Sequence, residues 1–488
     1  MARLETDENT GRAVAVGLPG NLSLMAVVSP PKNTSSAGTA AEFLRSQANV
    51  AGIGLVVVLV AGLFGRIIFH GWIQFDDPVN VTDNPHFFPL TWASLGDVWR
   101  RPYESLYIPV SYTLFAAECL ATRWVTSGGL SAPVGAGLFH AVSLGLHVAN
   151  VLVVFRLLER LVPERRMATV GAAFFAIHPL QVESIAWISE QRGLLAALLS
   201  LLAVVRFERW LDNDAQLSFR QGSFLTASML FALSLLAKPA AVTTPLIALA
   251  IGIHRGRQPM SKIALSLVPW FILAAATVIV TRACQPVDES LTSIPLQARP
   301  TIAADAIAWY ATKVVLPAGL CVGYGRTPSV VLADPMTPWV AILATVVLSA
   351  VFFGRRFRAA RLPAALFLSP LLPVLGFISF VFQTQSTVAD RYAYVAMLGP
   401  AAAVTLLFAR RATHAAVLVA MTAALVPLAI LASRQAAIWQ DTGTLARNAC
   451  AVAPAVAPSW VLRATHDLAE HDFDEAVLAS RQALEIDP

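Results

Sequence analysis

Residues 50–69 read VAGIGLVVVLVAGLFGRIIF, a run of twenty residues in which Arg66 alone is charged. An α-helix rises about 1.5 Å per residue, so about twenty apolar residues cross the roughly 30 Å hydrocarbon core of a bilayer. The run therefore predicts a transmembrane helix. It begins too far along the chain for an ordinary cleaved signal peptide, and we expect it to remain as an uncleaved anchor.

The rest of the chain repeats this pattern. Hydrophobic residues make up 56% of the 488 positions and charged residues only 13%, where a soluble domain carries about 25%. This composition excludes a set of soluble domains and a disordered protein, and four cysteines are too few for a disulfide scaffold. Ten further apolar runs predict spans, at 136–156, 167–183, 192–210, 222–237, 240–254, 262–282, 338–354, 362–382, 392–409 and 414–433.

Two weaker apolar runs, 106–124 and 302–322, contain charged residues, and the distribution of basic residues decides how to interpret them. Cytoplasmic loops of membrane proteins collect Lys and Arg. The five most basic short loops fall on one side only if these two runs do not cross, so we interpret them as helices at the outer interface. The sequence then predicts an all-α polytopic membrane protein of about eleven transmembrane helices, with the N-terminus cytoplasmic and the C-terminus extracytoplasmic.

This topology divides the chain into three parts. Residues 1–48 are polar and are expected to form a disordered cytoplasmic tail. Residues 49–435 form the membrane domain, whose large extracytoplasmic loops are 70–135 and 283–337. Residues 436–488 form an extracytoplasmic segment.

The first outer loop opens with HGWIQFDDPVNVTDNPHF, residues 70–87. Asp76 and Asp77 follow directly on the first span, where two adjacent carboxylates repel each other. They are candidates for a catalytic base, for ligands of a divalent metal, or for both. A solvated turn is the alternative, because Asp-Pro and Asn-Pro favour turns.

Other charged residues are expected at the same outer ends of the spans. Basic residues in short outer loops depart from the usual distribution, and an anionic ligand would account for them, because Arg and Lys bind phosphate oxygens strongly. Contact with lipid headgroups, or pairing with nearby carboxylates, is the alternative. The candidate substrate- or phosphate-binding residues are His178, Glu183, Glu190, Arg192, Lys238, Asp390 and Arg391.

Two further patterns carry weaker signals. His140 and His147 lie seven residues apart on one helix face, and we expect hydrogen-bonded interior histidines rather than a metal site. Residues 460–488, WVLRATHDLAEHDFDEAVLASRQALEIDP, partly fit the 34-residue tetratricopeptide (TPR) pattern of two short helices. A single repeat cannot bury its own apolar face, so this helix pair must pack on the membrane domain or on a partner.

Several strings occur here in the order found in a known family: FDDPVNVTDNPHF, IPVSYTLF, FAIHPLQVESIAWISEQRG, LLAKPAAVTTPL, VADRYAYVAMLG and IWQDTGTLARNA. Over residues 70–488 the chain resembles bacterial membrane proteins with TPR tails. Those proteins are similar to the eukaryotic TMTC family of transmembrane, TPR-containing O-mannosyltransferases.

The resemblance implies a GT-C fold in a membrane, here the bacterial inner membrane, and transfer of a sugar from a polyprenyl-phosphate lipid on the extracytoplasmic side. In the related protein O-mannosyltransferases the sugar is mannose and the acceptor is a Ser or Thr hydroxyl. The family's acidic pair maps onto Asp76 and Asp77, with a slight lean to Asp77 as the base. Its Ala-Asp-Arg-Tyr string is intact at 389–392.

The chain departs from the family at one turn, where the bacterial relatives often have Glu-Arg-Lys-Asp and this sequence has Glu190-Gln191-Arg192-Gly193. The resemblance favours a mechanism without a cofactor, although a divalent metal held by Asp76 and Asp77 stays open. The partners it implies are the lipid-linked sugar, membrane lipids and an extracytoplasmic protein or glycan, and not nucleic acid. Two other functions stay open: transfer to a lipid or surface glycan, and a TPR membrane scaffold without enzymatic activity.

Overall fold

The structure is a computed structural model that describes most of the chain. The described residues are 4–6, 13–15, 51–126, 133–162, 165–212, 219, 222–285, 294–378, 380–409 and 415–487. The chain separates into two compact units, residues 1–48 and residues 49–488.

The first unit contains two short strands, β1 (Leu4–Thr6) and β2 (Ala13–Ala15), which pair antiparallel with Leu4 opposite Ala15. The remainder of the predicted tail lies outside the described residues. So do Arg410 and Arg411, which form one of the basic loops used to predict the topology.

The second unit is all-α in its described residues. The helices are α1 (Ala51–Phe69), α2 (Trp92–Arg100), α3 (Pro109–Thr126), α4 (Pro133–Leu161), α5 (Arg165–Ile177), α6 (Val182–Ala186), α7 (Gln191–Leu211), α8 (Gly222–Ala237), α9 (Thr244–Arg255), α10 (Met260–Cys284), α11 (Arg299–Val315), α12 (Pro328–Ala333), α13 (Thr337–Phe353), α14 (Arg361–Leu371), α15 (Leu398–Phe408), α16 (Ala415–Ile438), α17 (Thr442–Val452), α18 (Ala457–Ala469) and α19 (Phe473–Ile486).

Short tight turns join several of these helices. A single π-helical turn covers Pro78–Thr82. The 3₁₀ turns that position the site are Pro179–Gln181, Ile188–Glu190, Pro239–Thr243 and Asp390–Ala393.

The structure confirms an all-α membrane protein, with a helix in each of the eleven predicted segments. Among the described residues, four helices are long and apolar enough to cross a bilayer. A fifth span is added if Thr337–Phe353 and Arg355–Val374, bent by 91° where they meet, count as one. Eleven crossings, and the orientation of the termini, stay predictions.

Several of the predicted spans are α-helical over only part of their length. The segment 167–183 is helical only to Ile177, because Pro179 lacks an amide hydrogen and restricts the residue before it. The segment 362–382 stops being α-helical at Leu371, just before Pro373. The segment 392–409 becomes helical only at Leu398, after the 3₁₀ turn that starts at Asp390.

Candidate site residues lie at two of these breaks, Glu183 at the first and Asp390 and Arg391 at the third. Helix α7 packs against α4 and α8, and α5 packs against α4 and α15. The connection from α5 to α7 is fully buried, and within it Trp187 stacks on Trp439 with ring centroids 5.8 Å apart. The chain that leads into α7 is therefore held by packing.

The two weaker sequence patterns have clear outcomes. His147 is an interior hydrogen-bonded residue, as expected: its Nδ1 lies 2.8 Å from the Tyr394 hydroxyl and its Nε2 lies 3.0 Å from the Ala176 carbonyl oxygen. The expected C-terminal helix pair is present as α18 and α19, which pack on each other, with α17 packed on α18. Its assignment as a TPR unit stays a prediction.

Candidate functional site

Four chain segments that are distant in sequence meet at the start of α7. They are the loop after α1, the turn that precedes α7, the turn between α8 and α9, and the 3₁₀ turn that precedes α15. Together they bring six charged side chains into contact, which we name the charged cluster: Asp76, Glu183, Glu190, Arg192, Lys238 and Arg391.

Glu190 is the centre of the charged cluster. Its Oε2 accepts a hydrogen bond of 2.6 Å from Nζ of Lys238. Its Oε1 lies 3.6 Å from Nε of Arg192 and 4.0 Å from Nε of Arg391. Burial by itself would raise the pKa of Glu190, but the positive charges of these three neighbours outweigh it and lower the pKa. Glu190 therefore stays ionised and holds three cations in fixed positions.

Arg391 lies between a carboxylate and three aromatic rings. Its Nη1 donates to Oε1 of Glu183 at 2.6 Å. Its guanidinium carbon is 4.3 Å from the ring centroid of Phe382, 5.0 Å from that of Tyr392 and 5.4 Å from that of Trp187. Cation–π contacts of this kind stabilise a guanidinium that has lost most of its water.

The two adjacent aspartates have opposite environments. The Asp77 side chain is buried, and Oδ1 accepts hydrogen bonds from the amide (3.0 Å) and the hydroxyl (2.6 Å) of Ser189, while Oδ2 accepts one from the Ile73 amide (3.0 Å). Burial raises the pKa of Asp77 to about 6 against the opposing effect of these hydrogen bonds. The carboxylate thus ties the first loop to the turn before α7.

Asp76 is open to a ligand. Its side chain is 39% exposed, and its Oδ2 lies 3.5 Å from Nη2 of Arg192. The arginine orients the carboxylate without covering it. Of the two aspartates, Asp76 is the one that can reach a bound substrate.

The remaining two candidate residues lie beside the charged cluster. Asp390 accepts a hydrogen bond of 2.7 Å from the Tyr324 hydroxyl, and burial raises its pKa well above the usual range. His178 is engaged at both nitrogens: Nε2 lies 3.0 Å from the Val314 carbonyl oxygen, and Nδ1 accepts a hydrogen bond from the Leu180 amide. His178 therefore positions the chain, and its contacts do not reach the charged cluster.

A narrow cavity opens next to the charged cluster. Lys238 and Arg391 line it, together with hydroxyl-bearing residues such as Thr243 and with small and apolar residues of α7, α9 and α14, such as Ala197, Ile247 and Pro370. Neither Glu183 nor Glu190 lines it. The cations therefore face the cavity while their carboxylate partners lie behind them, which suits an anionic group attached to an apolar chain.

The residues present do not form a ready metal site. Among the described residues no group of three or more His, Cys, Asp or Glu side chains could hold a metal ion. A metal bound by both aspartates would have to replace the three hydrogen bonds that Asp77 already accepts.

Several contact residues carry no charge and gave no signal in the sequence. Ser189, Trp187, Phe382 and Tyr324 each contact one of the charged groups, and all but Phe382 are distant in sequence from the group that they contact. Trp187 and Ser189 do stand inside the quoted string 175–193, so their proximity to charged residues in sequence was their one available sign.

No protein-family model matches the chain. No solved structure matches it. Curated proteins do: the human protein O-mannosyl-transferase TMTC1 is 40% identical over 155 residues, which are 31% of this chain and 17% of the human protein.

Two other relatives match a similar share. The Drosophila melanogaster Tmtc1 is 30% identical over 164 residues (33% of this chain, 17% of that protein), and the mouse TMTC3 is 24% identical over 164 residues (33% and 17%). The chain thus spans about a sixth of the length of the relatives it matches. The comparisons confirm, over that shared part, that this membrane protein resembles the TMTC protein O-mannosyl-transferases.

Proposed function

We propose that this chain is an integral-membrane glycosyltransferase of GT-C type. It moves a sugar, mannose in the first instance, from a polyprenyl-phosphate donor to a Ser or Thr hydroxyl of an extracytoplasmic protein. The observation that carries the proposal is that the half-exposed carboxylate of Asp76 belongs to the same charged cluster as Lys238 and Arg391, the two cations that line the cavity. The similarity to proteins named O-mannosyl-transferases supports the same chemistry.

The donor fits the cavity by its chemistry. Its phosphate would be bound by Lys238 and Arg391, and the first units of its lipid would lie along the apolar wall formed by residues such as Ala197 and Ile247. As the bond between the sugar C1 and the phosphate oxygen breaks, negative charge grows on the departing lipid phosphate. Two cations fixed in a site with little water stabilise that charge more than they would in bulk water.

Asp76 acts as the general base. The acceptor hydroxyl oxygen attacks C1, its proton passes to a carboxylate oxygen of Asp76, and the lipid phosphate leaves as an anion. Arg192 holds the Asp76 carboxylate in place from one side. The sequence slightly favoured Asp77 as the base, and the proposal assigns that role to Asp76 instead. Both oxygens of Asp77 already accept hydrogen bonds, so its role is to position the loop.

The test is sugar transfer by the purified full chain in detergent, supplied with polyprenyl-phosphate mannose and a pool of Ser- and Thr-containing peptides. Asp76→Asn should abolish transfer and leave the folded protein intact, because the side chain is exposed and its one ionic contact is 3.5 Å long. Asp83→Asn, an exposed residue of the same loop, is the matched control and should stay active. Full activity of the Asp76→Asn protein would remove Asp76 from the mechanism.

A further inference from the structure

A second basic site lies at the other end of α4 and α7 from the charged cluster. Helix α7 begins beside Glu190 and ends at Leu211, so its two ends are about 30 Å apart. At the Leu211 end a cavity of about 550 Å³ opens between α4, α5 and α7. Its polar wall consists of four arginines and one carboxylate, Arg156, Arg160, Arg165, Arg209 and Glu159.

The carboxylate in this cavity is already engaged. Glu159 pairs with Arg156 at 3.1 Å and with Arg165 at 3.5 Å. Arg160 and Arg209 form no ion pair within 4.0 Å among the described residues, and Nη1 of Arg160 is buried without a hydrogen-bond partner. The wall therefore carries more positive charge than its own carboxylate can balance.

Within the described part of the chain, two further carboxylates lie near Arg160 and do not correct this imbalance. Glu208 and Asp212 lie near Arg160, but both form ion pairs with Arg255, at 2.7 Å and 3.0 Å. Asp212 also forms an ion pair with Arg257, at 2.6 Å. A buried N–H without a partner is costly, and an anion bound in the cavity would supply an acceptor for it.

The dipoles of the two helices explain only part of this arrangement. Arg160 and Arg209 each lie in the last turn of their helix, where the partial negative charge stabilises a cation. Side chains that point into solvent would gain the same stabilisation from the helix dipole. It does not explain why arginines from different helices line one cavity.

The position of the cavity indicates the kind of anion. Residues Gly135–Leu161 of α4 are long and apolar enough to cross a bilayer, and Arg160 lies at the end of that stretch. The cavity also has an apolar wall, formed by Val153, Leu202 and Val205. Basic pockets between membrane helices, with apolar surface alongside, are typical of sites for anionic lipid headgroups.

We infer that the arginine cavity at the ends of α4 and α7 binds the phosphate headgroup of an anionic phospholipid. The phosphate oxygens accept hydrogen bonds from Arg160 and Arg209, and the upper part of the acyl chains lies against Val153, Leu202 and Val205. This site is separate from the proposed sugar-transfer site and does not depend on that function.

The experiment measures lipid retention by native mass spectrometry on the full chain, purified in detergent and mixed with phosphatidylglycerol or with phosphatidylcholine. The wild type should retain phosphatidylglycerol in preference to the zwitterionic lipid. Arg160→Gln/Arg209→Gln should weaken phosphatidylglycerol binding by about tenfold or more, since each basic residue near a headgroup makes a substantial contribution.

Single variants protect the test against misfolding. Arg209→Gln and Arg206→Gln form a matched pair, because both residues are exposed on α7 and only Arg209 lines the cavity. Arg209→Gln should lose affinity for phosphatidylglycerol and Arg206→Gln should keep it. Glu159→Gln should bind phosphatidylglycerol more tightly than the wild type, because it releases Arg156 and Arg165 to the ligand.

Three results would overturn the inference. One is equal affinity of the Arg209→Gln and Arg206→Gln proteins for phosphatidylglycerol. Another is equal retention of both lipids by the wild type. The third is displacement of bound phosphatidylglycerol by inorganic phosphate at the same concentration, which would mark the cavity as a site for a soluble anion.

Discussion

The Nζ atom of Lys238 lies 2.6 Å from Oε2 of Glu190, and the two side chains are only 18% and 2% exposed. The residues are 48 positions apart, one before α7 and the other directly after α8. The two helices pack side by side, and the ion pair joins them at the end where the proposed site lies. The same lysine lines the cavity, so one side chain both pairs with the buried carboxylate and faces the proposed anion site.

Removing the cation should destabilise the fold. Lys238→Met leaves Glu190 buried with only its longer contacts to Arg192 and Arg391, and we expect the free energy of unfolding to fall by about 2–3 kcal/mol. Thermal unfolding of the purified protein in detergent measures this. Lys238→Met/Glu190→Gln should regain part of the lost stability, because the uncompensated charge is gone. A single variant as stable as the wild type would contradict the pairing.

Asp77 predicts a pH dependence of stability. Its pKa is about 6 in the folded protein against 3.8 for an ordinary aspartate, so between these pH values the folded state binds more protons than the unfolded state. Asp77 therefore favours folding most at low pH, and this contribution is lost as the pH rises from about 4 to 6. A pKa difference of this size corresponds to about 3 kcal/mol.

The comparison that isolates this effect is between the wild type and Asp77→Asn. The unfolding temperatures of both proteins are measured between pH 4 and pH 7. In the variant the side-chain NH2 group must face the backbone N–H of Ile73 or Ser189, so one hydrogen bond is lost. We therefore expect the variant to be the less stable protein at pH 4. The difference between the two proteins should shrink as the pH rises, and a difference that stays constant would show that Asp77 does not titrate in this range.

The sequence predicts the helices of this fold better than their ends. Runs of apolar residues locate a helix in all eleven segments, because burial in lipid or protein selects the same side chains. The early end of α5 at Ile177 depends on Pro179, and its position could have been read from the sequence. The late start of α15 at Leu398 also has a local sign, because Pro400 stands in the first turn of the helix, where Pro is tolerated.

The candidate site shows the same division. Charge and topology placed Asp76, Glu190, Arg192, Lys238 and Arg391 on one side, and the structure brings these residues together. The sequence could not separate the roles of the two adjacent aspartates. That separation depends on hydrogen bonds from Ser189 to Asp77, 112 residues away, and such pairings leave no periodic pattern.

Gly193 lies beside the ion pair of Glu190 and Lys238, and its lack of a side chain leaves room for the lysine. A Cβ atom at this position would lie 2.8 Å from Oε2 of Glu190 and 3.3 Å from Nζ of Lys238. Gly193→Ala should therefore displace Lys238 from the cavity wall and raise KM for the polyprenyl-phosphate donor several-fold, with a smaller change in kcat.

The control for this substitution is Gly145→Ala in the middle of α4, where a Cβ atom meets no atom within 4 Å. It should leave donor kinetics unchanged, and it should stabilise the helix slightly because Ala restricts the unfolded chain more than Gly does. Equal KM values for the two variants would mean that the Lys238 position does not affect donor binding.

Arg391 provides the sharpest test of the donor site, because its contacts need a planar group. The guanidinium stacks 4.3 Å from the Phe382 ring while donating to Glu183 at 2.6 Å, and an ammonium cannot satisfy both contacts in this geometry. Arg391→Lys keeps the charge and should still lower kcat/KM for sugar transfer by about tenfold to a hundredfold, which corresponds to about 1.4–2.8 kcal/mol of transition-state stabilisation. The measurement is the initial rate of transfer at varied donor concentration.

Arg447→Lys, at an exposed position of α17, should behave as the wild type. An Arg391→Lys protein with wild-type kcat/KM would show that charge alone suffices and that the aromatic contacts serve packing only.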